Sequence, residues 1–131
     1  MRNGLQAGGI TPPFEGDPFH SECAGREIIE DLTGRWSTLI LVSLRDGPLR
    51  FSEVRERIDG ISEKVLSQKL RTLVRDGFIS RTVLPSTPPQ VSYRLTELGR
   101  GVSQPLRQLF RWIVTHGPEV VAAQQEYDKR S

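Results

Sequence analysis

The sequence predicts a mainly α fold carrying one small β-hairpin, and three features predict it. Leucines recur at helical spacing opposite a polar stripe between Ser62 and Gly77. Two alternating segments rich in β-branched and aromatic residues follow, separated by a proline-rich turn. Apolar residues then keep a helical period through a long C-terminal stretch.

In chain order, residues 1–22 have no period and many breakers, among them Gly8, Gly9, Pro12, Pro13 and Pro18, so a flexible arm is expected, with Phe14 and Phe19 available to pin it to the surface of a dimer. Ile28, Ile29 and Leu32 mark one face of a first helix over about 24–33. Trp36, Leu39, Ile40, Val42 and Leu44 mark a second that is apolar on most sides and therefore buried. Phe51, Val54 and Ile58 have the i, i+3, i+7 spacing of a short amphipathic helix, and Asp59-Gly60 supplies the turn after it.

Ser62 then suits an N-cap and Gly77 a left-handed position just past a helix end. At about 100° per residue, Lys64, Gln68, Arg71 and Arg75 share a narrow arc, and Leu66, Leu70 and Leu73 lie opposite. One face packs while the other is free to reach a partner. Residues 78–84 and 91–95 read as strands, with Val91, Tyr93 and Leu95 on one face and Ser92 and Arg94 on the other. Three prolines between them, Pro85, Pro88 and Pro89, cannot extend a ladder and make a stiff tip. Thr96 suits a cap for the last helix, in which Leu98, Val102, Leu106, Leu109, Phe110, Ile113 and Val114 keep period for about five turns. Pro105 within it is expected to kink it or to remove one hydrogen bond. Gly117-Pro118 is expected to end it, leaving 117–131 as a tail or a separate short helix. The expected organisation is thus an arm (1–22), one domain (23–116) and a C-terminal tail (117–131).

Helix, glycine-containing turn, helix, hairpin is the order of a winged helix-turn-helix, whose second helix enters the major groove of double-stranded DNA. Charge supports that use. The net charge is only +2, but residues 61–100 hold seven basic and three acidic side chains, whereas residues 1–33 hold two basic and six acidic. A local cationic patch supplies affinity for a polyanion whatever the total. Lys64, Gln68 and Arg71, with Ser62 and Ser67, are the candidates for base edges, where arginine pairs with guanine and glutamine with adenine. Arg75, Arg81 and Arg94, with Thr87 and Gln90 at the tip, are the candidates for phosphates or the flanking minor groove, and Arg50 for a backbone clamp. An ordinary solvated surface helix is the plain alternative for such a stripe. A winged domain used only for protein contact is a second, since fold does not fix function.

The chain resembles HxlR-type winged helix-turn-helix transcriptional regulators, relatives of the MarR-like regulators, over about residues 23–114. The resemblance rests on Cys23 thirteen positions before Trp36, GRW at 34–36, LRDGPLRF at 44–51, GISEK at 60–64, LSQKL at 66–70, DGFISR at 76–81, the Pro88-Pro89 pair, YRLTELG at 93–99 and Trp112. It implies a homodimer formed through N- and C-terminal helices, the last helix pairing with the first helix of a second subunit, and a two-fold operator to match. It further implies a repressor more often than an activator. Two departures stand out: Ala24 follows the cysteine where proline is common, and Gln90 occupies a wing position that often carries arginine, which removes one phosphate contact.

In some proteins of this type a cysteine at the place of Cys23 senses oxidants or electrophiles. Here the thiol stands at a helix start with Arg26 one turn on, which favours the thiolate, while Glu22 and Glu27 oppose it. Being the chain's single cysteine, it has an intersubunit bond, a mixed disulfide or an adduct open to it. The other reading is a small half-buried packing residue. No cofactor or metal is expected, with two histidines and one cysteine, and no nucleophile-base pair or phosphate loop suggests an enzyme. No apolar run reaches membrane-spanning length and no signal peptide is visible, so a cytoplasmic protein is expected. A small-molecule or oxidant effector is the remaining expected partner.

Overall fold

Ile40, Leu41 and Leu44 sit at the centre of the molecule with at most 1% of their surface exposed, because the helix that carries them is apolar on nearly every side. The computed structural model describes residues 18–19 and 24–131. Within them α1 (Ala24–Thr33) and α2 (Arg35–Ser43) precede a two-residue strand β1 (Leu49–Arg50), α3 (Phe51–Arg57) and α4 (Glu63–Arg75). The hairpin β2 (Ile79–Leu84) and β3 (Gln90–Leu95) then leads into α5 (Glu97–Arg130). The hairpin and the starts of α1, α3, α4 and α5 fall where the sequence places them.

The core joins α2 to the buried faces of α3, α4 and the sheet: Val54 and Ile58, then Leu66, Leu70 and Leu73, then Ile79, Tyr93 and Leu95. Burying each large aliphatic side chain contributes about 1.5–3 kcal/mol, so the leucine stripe of α4 is what fixes that helix to the body. Gly60 takes φ +90° in the turn between α3 and α4, a conformation that favours glycine. Arg50 N–H donates to the Glu53 carboxylate at 2.7 Å, closing the first turn of α3.

The hairpin is part of a three-stranded antiparallel sheet in the order β1-β3-β2, with Leu49 opposite Tyr93 and Ile79 opposite Leu95. The extra strand is too short to show a period of two, and it forms because the chain entering α3 runs beside the free edge of β3.

One expectation changes at the C-terminus. α5 does not end at Gly117-Pro118 but continues to Arg130, with Pro105 and Pro118 both inside it. Proline removes one donor yet its fixed φ is helical. The residues beyond it are strong helix formers supported by His116 to Glu119 (2.9 Å) and Glu126 to Arg130 (3.4 Å) contacts. The expectations for residues 1–17 and 20–23, Cys23 included, lie outside the described residues. Arg26 donates to the Pro18 and Phe19 carbonyls at 2.9 Å each.

Candidate nucleic-acid interface

Both ends of α4 are closed by local chemistry. Ser62 Oγ accepts from the Val65 N–H at 3.1 Å. At the other end Gly77, at φ +84°, donates to the Val74 carbonyl and Phe78 donates to the Leu73 carbonyl, both at 3.0 Å. That pair of bonds is a Schellman motif, and the accompanying apolar contact is made by buried Leu73 and Phe78. Thr96 ties this corner to α5: its hydroxyl donates to the Gly77 carbonyl (2.6 Å) and accepts from Gly99 N–H (3.0 Å), and its own N–H donates to the Phe78 carbonyl (3.0 Å). The helix is therefore held rigidly against sheet and C-terminal helix while its outer face stays open.

That outer face carries the predicted residues. Lys64, Gln68 and Arg71 are exposed along one side of α4, opposite the buried leucines. Among the described residues no side chain pairs with Lys64, and Arg71 makes only a 3.4 Å contact with Ser67 Oγ. At the start of the helix, Arg55 of α3 reaches Glu63 at 3.2 Å and so engages the carboxylate next to Lys64.

The structure separates the other candidates. Arg81 lies across from Tyr93 in the sheet register and lines a shallow groove with Ser67, Leu70, Arg71, Val74 and Tyr93, so it joins the α4 face. Arg94 lies opposite Ser80 on the other face of the sheet, its Nε donating to Ser80 Oγ at 3.3 Å near the root of the wing. Thr87 and Gln90 are exposed at the tip and its edge. Arg50 is exposed but its guanidinium stands 3.9 Å from Glu53. Arg75, grouped with the phosphate contacts by sequence, is instead engaged by Glu27 of α1 at 3.2 Å and by Asp76 at 3.7 Å. A cation held by two carboxylates at the far end of the helix is a brace between α1 and α4.

Sequence reasoning missed the acids around that brace. Burial, first, and then the hydrogen-bonded Asp31 carboxyl push Asp76 up to about 6. Glu27 adds to the rise and Arg75 opposes it. These acids lie far apart in the chain, on surfaces that only packing brings together, so no motif announces them.

A helix buried along one face, a tight turn before it and a hairpin wing after it, joined in a three-stranded sheet by β1, define a winged helix-turn-helix protein. Residues 31–120 match the HxlR-like helix-turn-helix family, and the chain belongs to it. It is similar to the HTH-type transcriptional regulator YtfH of Escherichia coli strain K12, 46% identical over 112 residues covering 86% of this chain and 89% of that protein. The solved structure of the transcriptional regulator ytfH from Salmonella typhimurium is 45% identical and superposes with a TM-score of 0.81 over 85% of this chain and 99% of that one. The redox regulator HypR in its reduced form is 28% identical with a TM-score of 0.70, covering 75% and 97%. The protein is thus a transcriptional regulator with a helix-turn-helix domain, and not an enzyme. Among the described residues no helix is long and apolar enough to cross a membrane.

Proposed function

We propose that the protein is a cytoplasmic homodimer that binds a two-fold operator in double-stranded DNA, reading bases with α4 and touching backbone with the wing, and that it acts as a repressor. The observation that carries this reading is the open polar face of α4, on which Lys64, Gln68 and Arg71 stand together and unengaged by acidic side chains. Arg81 extends the same cationic surface onto the wing. A protein-contact module would have no need of three base-pairing side chains in one arc.

Dimerisation is supported by the apolar residues that α5 leaves in solvent. Leu109, Trp112 and Ile113 are each about half exposed, and Val114 is 80% exposed. Contiguous exposed apolar surface of this kind marks an interface. A two-fold dimer presents two copies of α4 to successive major grooves.

The test is Arg71→Ala. Binding to the operator should weaken by about 1–3 kcal/mol, with relaxed preference at one base pair per half-site. Uniform loss across all sequences would assign Arg71 to the backbone instead.

Regulation by thiol chemistry at Cys23 is proposed from the chain's single cysteine, one position before α1 in the sequence, and from the likeness to a redox regulator. Oxidant or quinone should lower the DNA affinity of the wild type and leave Cys23→Ser unaffected. Equal loss in both proteins would place the damage at a residue other than Cys23, and a thiol that resists labelling until denaturation would make Cys23 a packing residue.

A further inference from the structure

Beside the end of α4 lies a second feature that DNA reading does not use. Ile28 and Leu32 of α1, Phe78, and Leu98 and Val102 of α5 enclose an apolar groove of about 880 Å³, a volume that holds a drug-sized molecule. Asp76 and Glu97 are its charged lining residues, and both are acids. Leu98 is left 60% exposed in it, so the body of the molecule does not fill it.

The acidic character is deeper than the lining alone. Asp31 of α1 faces the Asp76 carboxyl, Glu27 of α1 stands near, and Asp76 Oδ2 is buried without a donor among the described residues. Among the described residues Arg75 is the cation within ion-pair distance of this cluster, 3.2 Å from Glu27 and 3.7 Å from Asp76. One guanidinium therefore serves Glu27, Asp31 and Asp76, and Glu97 adds a further negative charge across the groove. The C-terminal end of α4, with its negative dipole end, points to the same place.

We propose that this groove binds an amphipathic organic cation, its aromatic or alkyl body against Ile28, Leu98 and Val102 and its charge beside Asp76 and Glu97. The fit follows from complementarity: an apolar floor supplies affinity, and carboxylates under-served by cations select the sign of the charge. A neutral or anionic body of the same shape meets the same floor but no favourable charge. Bound cation and bound proton compete at Asp76, so affinity falls as the pH drops below about 6, where Asp76 takes up its proton.

Two ions of matched shape and opposite sign test this on the full chain without DNA, so its outcome is independent of the operator reading. Isothermal titration with tetraphenylphosphonium and with tetraphenylborate, at pH about 7.5 and about 5, should show the cation binding at least about tenfold tighter at the higher pH and losing that advantage at the lower. Asp76→Asn should remove about tenfold of the cation's affinity. Gly101 lines the groove and a Cβ there meets nothing within 4 Å, so Gly101→Phe should fold and block the site while leaving every charge in place. Equal binding of the two ions, preference for tetraphenylborate, or cation binding that survives Gly101→Phe would overturn the proposal. Absence of binding to the wild type would do so too, and would leave a second copy of the chain as the groove's occupant.

Discussion

Gly99→Ala probes how α5 is seated on the reading domain, and intrinsic propensity and packing make opposite predictions for it. In an isolated helix alanine is favoured over glycine by about 1 kcal/mol. Here a Cβ at position 99 would overlap the Phe78 carbonyl oxygen and would stand 3.0 Å from the Phe78 carbonyl carbon and 3.2 Å from Leu95 Cδ2. The principal obstacle is backbone, so no side-chain rotation relieves it, and the first turn of α5 must retreat. That retreat loosens the Thr96 N–H to Phe78 bond and the Thr96 hydroxyl to Gly77 bond, each worth about 1 kcal/mol. Overpacking adds about 1–3 kcal/mol. Set against the propensity gain, the net expectation is a loss of about 2–4 kcal/mol. Urea unfolding followed by circular dichroism reads it as a lower midpoint at unchanged slope. An alanine variant as stable as the wild type, or more so, would refute the close approach and with it the claim that Thr96 locks α4, wing and α5 into one corner.

Three further outcomes are expected. Leu109→Glu, at a position half exposed in one subunit, should leave the far-ultraviolet spectrum intact while light scattering reports a monomer, because the carboxylate would be buried unpaired in the dimer. Asp76 is held protonated up to about 6 in the folded chain against an ordinary value of 3.8, so the folded state binds the extra proton between those values. Stability should therefore rise as the pH falls from neutral through about 6 and level off near 4, and Asp76→Asn should be more stable at neutral pH and lack that slope. Arg81→Ala should weaken binding to all DNA sequences alike and reduce the salt slope by about one unit, with a smaller effect from Arg94→Ala on the opposite face of the sheet.

What the sequence makes legible is what local chemistry decides. The Ser62 cap, the left-handed Gly77 and the leucine stripe determine α4 and its exposed face, because a helix of this length carries its own start, stop and inner side. β1 is not legible, since two residues have no periodicity and owe their strand conformation to β3. The end of α5 is misread because Gly117-Pro118 punctuates most sequences, whereas here helix-forming residues beyond it carry the helix on to Arg130. Arg75 looks identical to Arg71 on a helical wheel, and only the position of Glu27 on α1 distinguishes a brace from a reader. The groove beneath α5 is hidden for the same reason: Ile28, Asp76 and Val102 meet only when three separate elements pack.

Selection of bound sequences from a random double-stranded DNA pool tests the central claim most directly. An enriched, two-fold symmetric motif is expected, with half-sites about one helical turn apart, and a change of preference at one position per half-site when the pool is selected with Arg71→Ala. Enrichment of no sequence by the wild type, or the same motif from Arg71→Ala, would contradict it.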